Sequence, residues 1–532
     1  VFQLESTGIK NILYRLSIDR FEDLIALLAL YRPGPLKSGM VDDFIDRKLG
    51  IEKIDYIHDL LKPILIDTYG VIVYQEQVMK IAQVLSGYSL GHADLLRSAM
   101  SKKKKEEMSD HFKKFINGAV SKGVDIFTAE SIFNLIEKFA SYGFNKSHSV
   151  GYALLSYQTA WLKSNYCSHF MVSLLSSDMS DSEKMRSYIN DSKNLGIKIC
   201  LPNINYSIYS FALSNINEII YGFGAIKGVG ESVIAELIFN RSKYGFFKDF
   251  YDFLFRIDLK KINKKTFDSL VNSGTFDCFL LSRFDMLNIF HTITNSLEKN
   301  YFKDKHFYDL LLDKYSYAKN NFFLKTKWTK FNELKSEKLL LGDYISIHPV
   351  NYYLNELNNV ITSNIRSIIL TGDKENNVIF GLIIDVKFLN LFSGSCIILI
   401  IEDLTGVIEV IVSKYNYECN RKILKKDELI IVKGYFKKSK FISSSFYSLF
   451  EFILEFVKYL DIKLSFFSNE IFNSLLEILN LDLSLNGCFV RLYVDDLLSD
   501  FSYGELKIFP TDDLIRRLKC FDFVKEINLI YF

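Results

Sequence analysis

A chain of 532 residues, 49% of them apolar and with a net charge of +2, has room for three or four domains at ~150 residues each. It contains no low-complexity tract, which excludes a wholly disordered chain, and its overall charge is silent about partners. The seven cysteines lie scattered without a Cys-x-x-Cys pair, and the histidines lack metal-ligand spacing. That pattern predicts reduced thiols in an intracellular, cytoplasmic protein and excludes a disulfide framework. The longest bare apolar run, "CIILII" at 396–401, is far short of the ~20 residues that span a membrane. No secretory signal is read, and "VFQLESTGIKNIL" begins in mid-pattern, as the downstream part of a longer chain would. Heavy use of Ile, Asn, Lys, Phe and Tyr, with six prolines, fits an AT-biased genome and accounts for much of the aromatic content.

Residues 1 to about 200 carry helical stripes of period 3.6, broken at Pro33-Gly34-Pro35, Gly70, Gly87 and Gly143. A second helical segment, 201–345, includes "GAIKGVGESVIAELI" and an irregular connector near 300–340. From about 360 to 455 the pattern turns to β runs, "VIFGLIIDVKFL", "SCIILIIEDLTGVIEVIVS" and "ELIIVKGYFKK". Five or so short strands with Gly-containing turns suit a small closed barrel of the oligonucleotide-binding kind. Residues 457–532 are mixed α/β: Thr511 is placed to cap a helix with Asp512 and Asp513 in its first turn, and "INLIYF" reads as a final strand. The expected architecture is therefore multidomain, mainly α in the first two thirds, then an OB-like barrel and a small α/β domain.

Residues 97–123 hold eight Lys/Arg against three acids, a local anion-attracting patch. Within it Arg97 and Lys104 share one helix face with Ser101 between them. Arginine suits bidentate phosphate contact, and lysine acts as a mobile point charge. The plainer reading of the run is a solvated face in a lysine-biased chain. A second cluster, "SYGFNKSHSV" at 141–150, stands between two apolar helical patterns. There Ser147 or Ser149 is positioned to cap a helix starting near His148. Asn145, Lys146 and His148 then add donors, and Gly143 permits close backbone approach. The same residues also read as an ordinary polar loop between helices.

"VFQLES", "LALYRPGPLKSGMVDDFIDRK", "YGVIVYQEQVMKIAQVLSGYSLG", "ADLLRSAMSKKKKEEM" and "KFASYGFNKSHSVGYALLSYQTAWLK" occur in an order that resembles the C-family of bacterial replicative polymerases, the alpha subunits of DNA polymerase III. The resemblance continues through "YGFGAIKGVGESVIAELI", "LGDYISIHPVNYYL" and "FSYGELKIFPTDDLIRRL". It implies a fingers domain at 1–200, a helix-hairpin-helix and clamp-binding-like domain at 201–345, an OB-fold-like domain at 346–456 and a clamp-loader-binding-like domain at 457–532. It further implies template-directed addition of deoxynucleoside triphosphates to the 3′ end of a DNA primer, with Mg2+ held by aspartates of a palm upstream of Val1.

By that resemblance Arg97, Lys102, Lys103 and Lys104 face the triphosphate, with Ser98 standing where the family has a second basic residue. Tyr142, Gly143, Phe144, Asn145, Lys146, Ser147 and His148 match the loop near the nucleotide. Arg32 and the Tyr74, Gln75, Glu76, Gln77 group fall near the template channel. In "IKGVGESVIAELI" the Gly228-Val229-Gly230 hairpin would offer backbone N–H groups, and Lys227 charge, to a DNA phosphate. Residues 258–277 read as a poorer second copy, and an ordinary helix–helix turn is the plainer reading of Gly-Val-Gly.

Two departures weaken partner expectations. The Gln-led clamp peptide is absent, "KHFYDLLLD" at 305–313 being the nearest stretch. The first barrel hairpin has one lysine, Lys387, with Phe388 and Phe392 as either stacking or core residues. No carboxylate set substitutes for the palm. "YVDD" at 493–496 lacks a partner strand, so Asp495 and Asp496 read as a surface turn, and Asp42, Asp43 and Asp46 as a solvated helix face. The chain alone is expected to be inactive, with no catalytic or metal-binding residue of its own. A non-catalytic DNA-binding or replisome scaffold subunit from a split or decaying gene is the alternative.

Overall fold

The computed structural model describes residues 1–101, 105–140, 143–258, 261–279, 281–297, 329–357, 360–372, 377–391, 394–437, 440–466, 468–480, 482–494, 497–519 and 521–531. The chain forms two compact units, Val1–Phe170 and Met171–Phe532.

The first unit is helical, as the periodicity predicts. Its elements are α1 (Thr7–Leu16), α2 (Phe21–Leu30), α3 (Pro33–Lys37), α4 (Met40–Lys48) and α5 (Lys62–Leu65). They are followed by α6 (Gln75–Ser86), α7 (Leu90–Ser101), α8 (Lys105–Ser121), α9 (Ile126–Ala140) and α10 (Lys146–Asn165). The helical run does break at Pro33-Gly34-Pro35: α2 ends at Leu30, and the motif forms the first turn of α3, where proline loses no hydrogen bond and its fixed φ suits the helix. Gly87 does end a helix: at φ +69° it caps α6 in the left-handed region that glycine enters without cost.

Two apolar cores result. One gathers Leu27, Ala29 and Phe44 from α2 and α4 with Val71, Val73 and Tyr74. The other gathers Val78, Ile81, Phe115, Ile132 and Phe133 from α6, α8 and α9. The extended stretch 71–74 serves both, because Ile72 enters the second core while its neighbours enter the first. α10 packs on α2 and buries only small residues there, Ser149, Ala153 and Ser156.

In the second unit, β1 (Lys198–Cys200), β2 (Ala212–Asn215) and β3 (Glu218–Ile220) form a sheet of order β1-β3-β2. That sheet corrects the purely helical reading of 201–345; strands of three or four residues leave no measurable period. The helices Glu231–Tyr244, Phe250–Arg256, Lys264–Asn272 and Arg283–Leu297 follow. Phe250, Phe253, Phe267, Phe276 and Phe290 are fully buried among them, and Phe267 stacks on Phe290 at 3.6 Å.

The β runs close into a five-stranded barrel of β4 (Asn377–Leu391), β5 (Gly394–Glu402), β6 (Val407–Ser413), β7 (Leu429–Lys437) and β8 (Lys440–Ser448). The order β4-β5-β6-β8-β7 returns to β4, with β6 parallel to β8 and a helix, Lys414–Cys419, between β6 and β7. This is OB-like, and closure leaves no free edge. Phe388 is exposed and meets Tyr417 edge-on at 5.5 Å, so it is not core, whereas Phe392 lies outside the described residues.

The C-terminal sheet is β9 (Val457–Leu464), β10 (Leu483–Val494), β11 (Leu497–Ile508) and β12 (Val524–Tyr531), in order β11-β10-β9-β12. Thr511 caps the Asp512–Lys519 helix by accepting the Leu514 N–H at 3.0 Å, as its sequence predicts. Asp495, Asp496 and the 305–313 stretch lie outside the described residues. Among those residues no helix is long and apolar enough to cross a membrane.

Candidate functional site

The loop before α10 is stitched to the start of α6. Phe144 donates its N–H to the Val73 carbonyl and accepts the Gln75 N–H, each at 3.0 Å, forming a parallel bridge between Tyr74 and Phe144. The Gln75 amide adds a bond to the Gly143 carbonyl at 3.2 Å. A Cβ on Gly143 would lie 3.3 Å from Gln75 Cγ, so the close approach favours glycine there.

The helix start differs from the sequence expectation. Asn145, not Ser147 or Ser149, is the cap: its Oδ1 accepts the His148 N–H at 2.8 Å, and α10 begins at Lys146. Ser149 is fully buried, and its hydroxyl has no partner among the described residues. The expected anion site at this terminus is already filled by the protein itself. Both carboxylate oxygens of Glu76 accept the Lys146 N–H at 3.0 Å. A ligand phosphate would meet side chains here rather than that backbone donor.

Those side chains converge. The Lys146 ammonium sits 5.3 Å from the centre of the Tyr74 ring. The Arg32 guanidinium lies 4.4 Å over Phe144, its Nε donating to the Ala29 carbonyl at 2.7 Å. Burial holds the Arg32 pKa below its ordinary value and the Tyr74 phenol well above, so one stays a cation and the other neutral at physiological pH. His148 stands between Phe144, 5.4 Å away, and Tyr152, 4.4 Å away, continuing a row of rings along α10. Ser147 is exposed beside them.

Arg97 engages a neighbour on its own helix. Its Nε donates to Asp94 on its own helix at 2.8 Å, a half-exposed pair one turn apart. Lys102, Lys103, Lys104 and Tyr142 lie outside the described residues. The structure therefore brings together Arg32, Gln75, Gly143, Phe144, Asn145, Lys146 and His148.

In the second unit Lys227, Gly228 and Gly230 are exposed. The first helix of the expected pair is a single 3-10 turn, Phe223–Ala225, and the second is Glu231–Tyr244. Two hairpin donors are used internally: Lys227 N–H binds the Leu340 carbonyl at 3.1 Å and Val229 N–H the Ile226 carbonyl at 3.3 Å. The N–H groups of Gly228 and Gly230 have no partner among the described residues. Gly228 takes φ +88°, and a Cβ there would lie 2.9 Å from Ser269 Oγ, so both conformation and space demand glycine.

Asp42, Asp43 and Asp46 lie on α4, with Asp42 paired to Arg15 at 2.6 Å on the surface. Among the described residues no group of three His, Cys, Asp or Glu side chains is arranged to hold a metal ion. Sequence reasoning missed one buried cluster that supports the site. Asp23, fully buried, accepts from Lys48 Nζ at 2.5 Å and from the Tyr69 hydroxyl at 3.0 Å. It also missed the task of Gln77, whose Oε1 accepts the N–H groups of Val73 at 2.8 Å and Tyr74 at 2.9 Å. The spacing from Tyr74 to Gln77, that of a capping box, was the legible signal.

Residues 1–123 match the family described as the bacterial DNA polymerase III alpha subunit finger domain, and residues 196–286 match the helix-hairpin-helix motif. The chain is 42% identical to the DNA polymerase III subunit alpha of Buchnera aphidicola from Schizaphis graminum over 481 residues, 87% of this chain and 41% of that protein. It is 42% identical to the Vibrio cholerae subunit and 41% identical to the Escherichia coli one, each match covering 82% of this chain and 38% of the relative. The chain thus spans about two fifths of the length of these relatives. With matches in the finger region, the hairpin region and most of the remainder, the chain belongs to the family of bacterial DNA polymerase III alpha subunits.

Proposed function

We propose that this chain is the nucleotide- and DNA-binding portion of a replicative DNA polymerase, working with further polypeptide that carries the metal-binding carboxylates. Its segments take the parts of fingers (1–200), hairpin and clamp-binding-like region (201–345), OB-like barrel (346–456) and clamp-loader-binding-like end (457–532). The observation that carries the reading is the stitched loop. A parallel bridge holds Phe144 against Tyr74 and sets Arg32, Lys146 and His148 beside one another. Glu76 fixes the helix start, so binding of a triphosphate there needs no reordering of the backbone.

Asp42, Asp43 and Asp46 do not fit a metal centre, being spread on a solvated face with Asp42 paired to Arg15. Mg2+ is assigned to carboxylates beyond the described residues, where it would activate the primer hydroxyl and stabilise the leaving pyrophosphate. The outward face of α10 supports a larger assembly. Leu154 and Trp161 on this helix are large, apolar and exposed, and grouped exposed apolar side chains mark an interaction surface. The partners are primer-template DNA, deoxynucleoside triphosphates, the sliding clamp and a clamp-loader subunit, in the cytoplasm.

In the polymerase that contains this chain, Lys146→Ala is expected to raise the nucleotide KM about tenfold while changing primer-template Kd less than about twofold. Steady-state kinetics against an anisotropy titration separate the two; an unaltered nucleotide dependence rejects the loop assignment. Replacing both Gly228 and Gly230 by alanine is expected to lower duplex affinity by a similar factor for every sequence, since the hairpin N–H groups address phosphates rather than bases. A loss confined to certain sequences, or no loss, overturns the hairpin assignment.

A further inference from the structure

We propose that a groove on the first unit, formed by different residues from the Lys146 loop, binds a phosphate group. It has a volume of about 580 Å³ and is lined by Ser86, Tyr88, His92, Lys113, Lys114 and Asn117 at the junction of α6, α7 and α8. Space of that size admits a ligand as large as a nucleotide.

Lys113 and Lys114 are exposed, and neither has an acidic partner among the described residues. The Lys114 ammonium lies 5.6 Å from the Tyr88 ring, which is itself anchored by a hydroxyl bond to the His111 carbonyl at 3.1 Å. Asp110 is the opposing carboxylate on the lining, so the groove remains positive. Ser86 is 8% exposed, and its hydroxyl is buried without a partner, an arrangement that proteins rarely leave unless something completes it.

The carbonyl end of α6, which would otherwise repel an anion, is neutralised. Lys122 Nζ donates to the carbonyls of Val84 at 3.0 Å and Gln83 at 3.4 Å. Gly118 lets α8 approach that end: a Cβ there would stand 2.3 Å from the Ser86 carbonyl oxygen. A buried hydroxyl without a hydrogen-bond partner and two ammonium groups without an acidic partner among the described residues thus meet a screened helix terminus in one depression. The phosphate belongs either to a DNA strand or to a free nucleotide; the chemistry of recognition is the same.

The test compares Lys113→Ala/Lys114→Ala with Lys425→Ala/Lys426→Ala, an equal change of charge on the exposed barrel surface. Anisotropy titrations of labelled duplex DNA over about 50–300 mM salt read one source. Removing two phosphate-binding ammonium groups from the groove lowers the slope of log K against log salt by about 1.8. Titration of the intact chain with inorganic pyrophosphate, followed by calorimetry, reads the other. A reduced slope confined to the groove variant assigns the site to a DNA strand, and loss of one pyrophosphate site with an unchanged slope assigns it to a nucleotide. Equal effects from both variants, or no effect in either titration, overturn the proposal. Because Lys146 is untouched, failure here leaves the nucleotide-loop reading standing.

Discussion

Replacing Asp23 by alanine is expected to destabilise the Val1–Phe170 unit by about 3–5 kcal/mol, the usual cost of removing one member of a buried ion pair. Asp23 is fully buried, and its partner Lys48 is only 6% exposed. Burial alone would pull the Lys48 pKa down, but the hydrogen bonds to Asp19 and Asp23 outweigh it and hold the ammonium charged. Without Asp23 that charge stays largely desolvated and the Tyr69 hydroxyl loses its acceptor. Native-state hydrogen exchange of the α2 and α4 amides in the intact chain reads the change. Arg15→Ala, which breaks only the exposed pair with Asp42, should leave the same amides almost unaltered. Equal protection in the Asp23→Ala chain would show that the pair contributes nothing net.

The second large effect is expected from Gln77→Leu, a change of similar volume in a buried side chain. It leaves the Val73 and Tyr74 N–H groups without an acceptor, at about 1–3 kcal/mol each. It also removes the amide that reaches Thr68 at 2.8 Å and the Ile64 carbonyl at 3.3 Å. Val73 and Tyr74 are the residues that bridge to Phe144, so the loss is felt at the nucleotide loop as well as in the core. Exchange of the Phe144 amide should quicken more than that of α9 amides, and Gln77→Glu, which keeps an acceptor, should recover part of the difference. Uniform quickening of the whole unit would assign Gln77 a purely global role.

Much of this was legible in the residues. The helical stripes of the first 200 positions, the barrel runs from 378 and the Thr511 cap were read by period and local chemistry, and each such signal lies within a few residues of its effect. The short sheet of β1, β2 and β3 was not, because strands of three and four residues, each completed by partners up to about twenty positions away, carry no periodic signal. The α10 cap illustrates the boundary. A Ser-rich stretch announced a helix start with Ser147 or Ser149 as its cap, yet the chain uses Asn145, whose Oδ1 reaches the His148 N–H.

By itself the sequence determined the family, the alternation of helical and β segments and the residue types gathered near 141–150, since all of these depend on order and spacing along the chain. Tertiary structure alone decided which of those groups meet. Glu76 closes on the Lys146 N–H across 70 positions, and Asp23 finds Lys48 and Tyr69. Hydrogen-bond and ion-pair partners are settled by distances of a few ångströms in the packed state, and local spacing does not encode those distances between segments far apart in the chain.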